Sequence, residues 1–238
     1  MTNTLGELGE SLSHVHTTVV LAMSADGKIS DSDRTAARFS SSQDLAHLET
    51  EIAKADAVLF GAGTLRAYGT CLPVRQPDLI RQRQTHQKPD QPIQIICSRS
   101  GEINPALRFF KQAVPRWLLT TQQGAKAWEH QDAFEHILYL PPSATNWAVI
   151  LQTLLLMGIQ NLAVLGGGTL VAELVQQNLI DEVHLTICPL LIGGQTAPTP
   201  YDGTGLPINL APRLQLIQAK TIGNEVFLHY RRYRPHED

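Results

Sequence analysis

Apolar residues in this chain alternate between two patterns. Short aliphatic or β-branched runs recur, and between some of them apolar residues return at the spacing of one helix face. His16 to Met23, HTTVVLAM, is the first run and reads as a central buried strand. Ala57 to Phe60, Ile93 to Cys97, Trp117 to Leu119, residues 137–140 and Leu162 to Leu165 follow as further strands. Ser40 to Ser42 offer an N-cap to a helix from about Gln43 to Lys54. Leu45, Leu48 and Ile52 form its apolar stripe, and Glu49 and Glu51 lie off that stripe, toward solvent. Asn146 caps a second helix, Trp147 to Met157, which Gly158 ends at the C′ position. A third opens at Thr169, carries Leu170, Val171, Leu174 and Val175 on one face, and stops near Asn178. The polar, proline-containing stretch Pro77 to Gln91 reads as a loop. Glu182 to Leu191 reads as a strand that Pro189 demotes to an edge or a bulge. Gln195 to Pro207 is Pro/Gly-rich, a flap or long loop, and Leu214 to Lys220 with Glu225 to Tyr233 make a closing hairpin turning at Gly223-Asn224. The order predicts an α/β fold: a mixed, mostly parallel central sheet flanked by helices, with an antiparallel C-terminal hairpin.

Composition narrows the function classes. The chain has 238 residues, 43% hydrophobic and 17% charged, with a net charge of −3. That suits one domain over residues 16–238 behind a loose leader, 1–15, and gives no basic surface to recommend nucleic acid or membrane as a partner. The first residues lack the basic start and apolar core of a signal peptide, and the apolar run around Trp147 to Met157 is too short to span a bilayer. Cys71, Cys97 and Cys188 are odd in number and widely spaced, which suggests neither disulfides nor zinc and fits a cytoplasmic setting.

Two junctions carry the chemistry. Leu162 to Leu165 runs into Gly166, Gly167 and Gly168, and Thr169 opens the next helix. Glycines there let the backbone approach a ligand, and the partial positive charge of a helix N-terminus favours an anion; a tight turn needing positive φ is the plainer alternative. Ala57 to Phe60 ends in the same device, Gly61-Ala62-Gly63-Thr64. The pattern G-x-G-x-x-G fails at Arg66, and no acidic residue follows a second strand at the distance a Rossmann unit needs. One pyrophosphate-bearing ligand lying across both junctions would use both sets of backbone donors. Further along, Ser98-Arg99 and Thr120-Thr121 close strands with groups suited to phosphate or ribose oxygens, or simply to capping. His47 and Glu49 form an H-x-E, but the P-C-x-x-C that zinc deaminases also need is missing, so no metal site is expected.

The ordered motifs resemble a family. They are M-S-x-D-G-K-I at 23–29, D-A-V-L-F-G-A-G-T at 56–64, L-P-V-R at 72–75, G-G-G-T-L at 166–170 and L-I-D-E-V-H-L-T-I-C-P-L-L-I-G-G at 179–194. Over roughly residues 16–233 this is similar to the reductase domain of the bacterial riboflavin-biosynthesis deaminase/reductase, whose fold is that of dihydrofolate reductase. The resemblance implies NADPH-dependent reduction of the ribosyl group of 5-amino-6-(5-phosphoribosylamino)uracil to ribityl, by a homodimer. It implies that Gly61, Gly63, Thr64, Ser98, Gly166, Gly167, Gly168, Thr169 and Leu170 hold the cofactor. Met23, Ser24, Leu72 and Arg75 would meet the phosphorylated pyrimidine, and Asp26 and Lys28 would serve the polar side of the chemistry. Three positions depart from the family pattern: Ile52 stands where an arginine is common, Tyr68 replaces an acidic residue, and Leu165 replaces the glutamate before the second glycine cluster. All three fall near the substrate, which leaves two alternatives open: a reductase of another small molecule, or a nucleotide-binding module without turnover.

Overall fold

The computed structural model describes residues 14–141, 143 and 145–233. The leader expected over 1–15 thus lies mostly outside the described residues, although Val15 itself is buried. In chain order the elements are β1 (His16–Ser24), α1 (Ser42–Lys54), β2 (Ala57–Gly61), α2 (Ala62–Tyr68), α3 (Pro77–Thr85), β3 (Ile93–Cys97), β4 (Arg116–Thr120), α4 (Gln122–Ala125), β5 (His136–Tyr139), α5 (Trp147–Leu156), β6 (Asn161–Val164), α6 (Gly168–Gln176), β7 (Glu182–Cys188), β8 (Leu214–Ile222) and β9 (Glu225–Arg232). A short 3-10 turn, Arg108–Lys111, precedes β4.

Among the described residues, nine strands join one sheet in the order β5-β4-β3-β2-β6-β1-β7-β9-β8. Strands β5 through β7 run parallel, and β9 and β8 close the sheet antiparallel, as the sequence pattern predicts.

Alternation along each strand sends neighbours to opposite faces. Ala57, Leu59, Ile95, Leu119, Leu162 and Val164 meet α5 and α6 through Trp147, Leu151, Leu154, Val171 and Leu174. Val58, Phe60, Ile96, Leu118 and Ala163 meet α1, α2 and α3 through Ile52, Leu65 and Leu79, with Phe109 and Trp128 beyond them. Leu59 and Leu162 are fully buried, and truncating either to alanine costs about 2–5 kcal/mol.

Three expectations need correction. Pro77–Thr85 is a helix, not a loop: proline at its start presets φ, and Arg83 anchors it by donating to the carbonyls of Ala53 and Ala55. Its apolar stripe is too short to show in the sequence, with Leu79 its main buried apolar residue. β7 is an inner strand between β1 and β9, because it ends at Cys188, before Pro189 can remove a ladder bond. Glu51 is buried against Lys54 and the start of β7, and Glu49 accepts from the backbone N–H groups of Arg75 and Gln76, so neither merely faces solvent.

Candidate active site

Both glycine junctions lie at the carboxyl ends of the central strands, β2 and β6, which are direct neighbours. The Gly61 N–H donates to the Gly166 carbonyl at 3.0 Å, and the Leu165 N–H donates to Leu59 at 3.0 Å. The Gly166–Gly167 peptide is cis, and Gly166 has a φ of 96°, a conformation that favours glycine. A Cβ on Gly61 would stand 3.7 Å from the Gly167 nitrogen, and one on Gly167 would stand 3.8 Å from Thr64 Oγ1. Thr64 and Gly167 therefore share one surface. The first-turn position of Gly63 faces open space, with nothing within 4 Å of an added Cβ.

The two helices that start at the glycine junctions, α2 and α6, lack a side-chain cap, as does α3. Ser41, Thr121 and Asn146 cap α1, α4 and α5 with side-chain oxygens. α6 instead begins behind Gly167, with no side-chain cap. Its first intrahelical bond runs from Val171 N–H to Gly167, so Gly168, Thr169 and Leu170 N–H groups lack intrahelical acceptors. N–H groups at a glycine-walled helix start suit a phosphate, and the Thr199 carbonyl and Asp202 carboxylate stand against Gly168 on one side of that start. The residues present thus fit a pyrophosphate-bearing dinucleotide.

Strand β1 borders this surface, with Leu21 Cδ2 lying 3.2 Å from where a Cβ on Gly166 would sit, and the turn that follows β1 carries a network of its own. Ser24 Oγ accepts from Lys28 N–H at 2.8 Å and donates to Asp26 Oδ1 at 2.6 Å. Asp26 also accepts from the N–H groups of Ile192 at 3.1 Å and Gly193 at 2.6 Å. The Ser24 hydroxyl, followed by those two amides, lowers its pKa from 3.8 to about 2. Asp26 is thus a fixed carboxylate that pins the 190s segment to the turn, and it holds no proton to give at neutral pH. Lys28 Nζ donates to the Ala197 carbonyl at 3.1 Å, and Ile29 N–H donates to Pro198 at 2.9 Å.

That segment crosses from the β1 turn to α6. Asp202 N–H donates to Gly168 at 3.1 Å, and Asp202 Oδ1 accepts from Thr199. A Cβ on Gly168 would stand 2.2 Å from the Thr199 carbonyl oxygen, so only glycine fits there. Proline and glycine content announced a flexible-looking loop, but not that residues 189–207 form a strap held at both ends. Thr199 and Asp202 were accordingly not among the expected site residues.

The remaining expected residues are dispersed. Ser98 is buried at the end of β3, its N–H bonded to Leu119. Met23 lies in β1 opposite Ile187. Leu72 packs into the core under α1, and Arg75 is exposed. Arg75 lines a separate shallow cavity of about 770 Å³ together with Arg108 and Lys111, and none of the glycine-junction residues lines it. Of the three departures, Ile52 is fully buried, Tyr68 donates to the Ala37 carbonyl at 3.0 Å, and Leu165 packs against the core beneath α1.

Residues 15–228 match the family described as the RibD C-terminal domain. The chain belongs to that family. The 2,5-diamino-6-ribosylamino-4(3H)-pyrimidinone 5′-phosphate reductase of Archaeoglobus fulgidus is 31% identical over 188 residues, 78% of this chain and 85% of the relative. Riboflavin biosynthesis protein RibD of Escherichia coli is 25% identical over 221 residues, and the match spans 88% of this chain but only 58% of that protein. Among solved structures, a pyrimidine reductase-like protein from Corynebacterium diphtheriae superposes with a TM-score of 0.80 at 20% identity, covering 92% of both chains. The RibD C-terminal domain assignment agrees with the resemblance carried by the motifs, and the fold is the dihydrofolate-reductase-like one those motifs imply. It makes the chain an oxidoreductase of the riboflavin-biosynthesis reductase family.

Proposed function

We propose that this chain binds NADPH across the two glycine junctions and reduces the ribosyl group of a phosphoribosylaminopyrimidine to ribityl. One observation carries the reading: Thr64 and Gly167 stand on one surface, with Thr64 Oγ1 3.8 Å from where a Cβ on Gly167 would sit, beside the N-terminus of α6, which has no side-chain cap. When bound, NADPH supplies the hydride. Gly168, Thr169 and Leu170 N–H groups and the Thr64 hydroxyl hold its phosphates, while Gly61 and Gly63 keep the approach clear. Ser98 serves the adenosine side.

In the reaction C1′ gains a hydride, the bond from C1′ to the ring oxygen breaks, and that oxygen takes a proton. Lys28 is the cation at the end of β1 and is assigned to stabilise the developing oxyanion and supply that proton. Asp26 is a positioning residue that fixes the turn from which Lys28 projects. Met23 and Ser24 line the substrate side. The strap 189–207 excludes water once it lies over both reactants. Leu72 and Arg75 are assigned to the substrate by the family pattern, and Arg108 and Lys111 beside Arg75 make its cavity suited to phosphate. Arg75→Gln raising KM for the ribotide supports that assignment; an unchanged KM removes Arg75 from the site.

The relative at 31% identity favours a second substrate of the same class, the 2,5-diamino-6-ribosylamino-4(3H)-pyrimidinone 5′-phosphate of its name. Purified chain is mixed with NADPH and each ribotide in turn, and loss of NADPH absorbance is followed. Oxidation with either one supports the reading, and the ratio of kcat/KM values names the substrate. Tight NADPH binding with no oxidation by either overturns it in favour of a binding module. A homodimer is part of the proposal: β8 is an edge strand of nine residues that exposes Leu214, Leu216 and Ile217, a surface suited to a second copy. Sedimentation at a mass of two chains supports it. The three free cysteines suit the reducing cytoplasm.

A further inference from the structure

The opposite end of the sheet holds a different kind of place. There the first residues of β1, β6 and β7 face the second half of α1 across a cavity of about 440 Å³, whose lining includes His16, His47, Glu51, Glu182, His184 and His229. Local geometry explains the gathering. His47 and Glu51 are i, i+4 on α1 and share a face. Glu182 and His184 are i, i+2 on β7 and share a face. His229 is the cross-strand partner of His184, and their rings stack at 4.2 Å. None of this belongs to the reductase chemistry at the glycine end.

His184 is the centre of the group. It is buried, and its Nε2 stands 3.8 Å from Glu51 Oε2 and 3.9 Å from Glu182 Oε2. Those separations are too long for hydrogen bonds. They are close to the distance of about 3.3 Å between two ligands held near 2.0–2.1 Å from one tetrahedral ion. Each carboxylate has its outer oxygen on a cation, Glu51 Oε1 on Lys54 at 2.7 Å and Glu182 Oε1 on Arg231 at 3.1 Å. The other oxygen of each is the one that approaches His184. One ligand atom from each of His47, Glu51 and His184 lies within 4.8 Å of the others, and the same holds for Glu182, His184 and His229.

We propose that His47, Glu51 and His184 bind one divalent transition-metal ion of the zinc class, with solvent completing the coordination. Imidazole and carboxylate donors select that class over magnesium and calcium. A single ion follows because both triads include His184, whose Nε2 stands within 3.9 Å of both Glu51 and Glu182. The His47 triad takes it because Glu182 Oε2 is already engaged by His229 Nε2 at 3.0 Å, whereas Glu51 Oε2 faces His184 at 3.8 Å. Glu182 and His229 then support His184 from outside the coordination sphere. The ion ties α1 to β7, and α1 in turn holds the backbone of Arg75 and Gln76 through Glu49.

The full chain, free of any purification tag and dialysed against chelator, is titrated with Zn²⁺ by calorimetry and with Co²⁺ by visible absorption. The expected result is one ion per chain, cobalt bands of a low-coordinate nitrogen–oxygen site, and a raised Tm in saturating Zn²⁺. His47→Gln and His184→Asn weaken binding by more than about 100-fold, whereas His229→Gln weakens it by about 10-fold or less. Circular dichroism shows whether each variant folds, and Glu51→Gln, which keeps the side-chain shape, repeats the test if one does not. Absence of saturable binding by the wild-type chain overturns the site. So does wild-type affinity in folded His184→Asn. Loss of binding in His229→Gln with retention in His47→Gln overturns the ligand assignment.

Discussion

At the carboxyl ends of β2 and β6 the chain presents Gly61, Gly63 and Gly166 to Gly168, with hardly a side chain among them. At the amino ends of β1, β6 and β7 it presents imidazoles and carboxylates around a cavity. Strand β6 serves both ends, yet their materials are opposite. Peptide N–H groups at a helix start are fixed in direction and carry partial positive charge, so that end suits a large anion held by many weak donors. Imidazole and carboxylate oxygens offer lone pairs at the tips of side chains, so the other end suits a small cation held by a few strong ones. The lesson is that a strand end becomes an anion site by losing side chains and a cation site by converging them.

Substitutions at one end should leave the other untouched, and this separates the two most sharply. The largest effect is expected from Lys28→Met, which should lower kcat by about 10²–10³ while NADPH Kd stays within about threefold, as for loss of one oxyanion-stabilising donor. Single-turnover kinetics checks this, and an unchanged rate removes Lys28 from the chemistry. Next comes Gly168→Ala, whose methyl must displace the strap from Thr199. It should destabilise the chain by about 1–3 kcal/mol and weaken NADPH binding, with Zn²⁺ affinity unchanged. Gly63→Ala is the control, because its methyl meets no protein atom. Urea unfolding should move by no more than about 0.5 kcal/mol, and any loss should fall on NADPH binding alone.

A smaller effect belongs to Asp26. Its pKa is lowered from 3.8 to about 2, so its contacts stabilise the fold above the ordinary aspartate value and are lost as pH falls toward 2. Hydrogen exchange at the Ile192 and Gly193 amides should be flat in this respect from about pH 5 upward, apart from intrinsic exchange chemistry, and should quicken in acid. Asp26→Asn should abolish that acid step. The smallest effect is expected at Cys97, which closes β3 near the glycine end. Burial pushes its thiol up to about 12, so a thiol reagent at neutral pH should modify it slowly in the folded chain and faster on unfolding.

The fold was legible because it is written in local periodicity. Alternating or continuous apolar runs mark β1 to β6, and the i, i+3, i+7 stripe marks α1. α3 was not, since Arg83 anchors it through two backbone carbonyls rather than through an apolar face. β7 was misplaced to an edge because Pro189 was weighed as part of the strand, one residue beyond its end. The glycine end could be read because each half of it is contiguous in the chain. The strap could not, since its hold on Gly168 and Lys28 depends on tertiary contacts. His47, Glu51, His184 and His229 come from three elements far apart in sequence. The H-x-E pattern pairs His47 with Glu49 in sequence, while helix geometry pairs it with Glu51, one turn on.

Strand β2 is only five residues long, and its side chains point by turns to the two cores. Gly61 meets Gly166 because of that count and for no other reason. Adding one residue anywhere between Ala57 and Phe60 would turn Leu59 and Phe60 into each other's layer and carry Gly61 past its partner. The spacing from Ala57 to Gly61 is therefore as much a part of the site as any functional group.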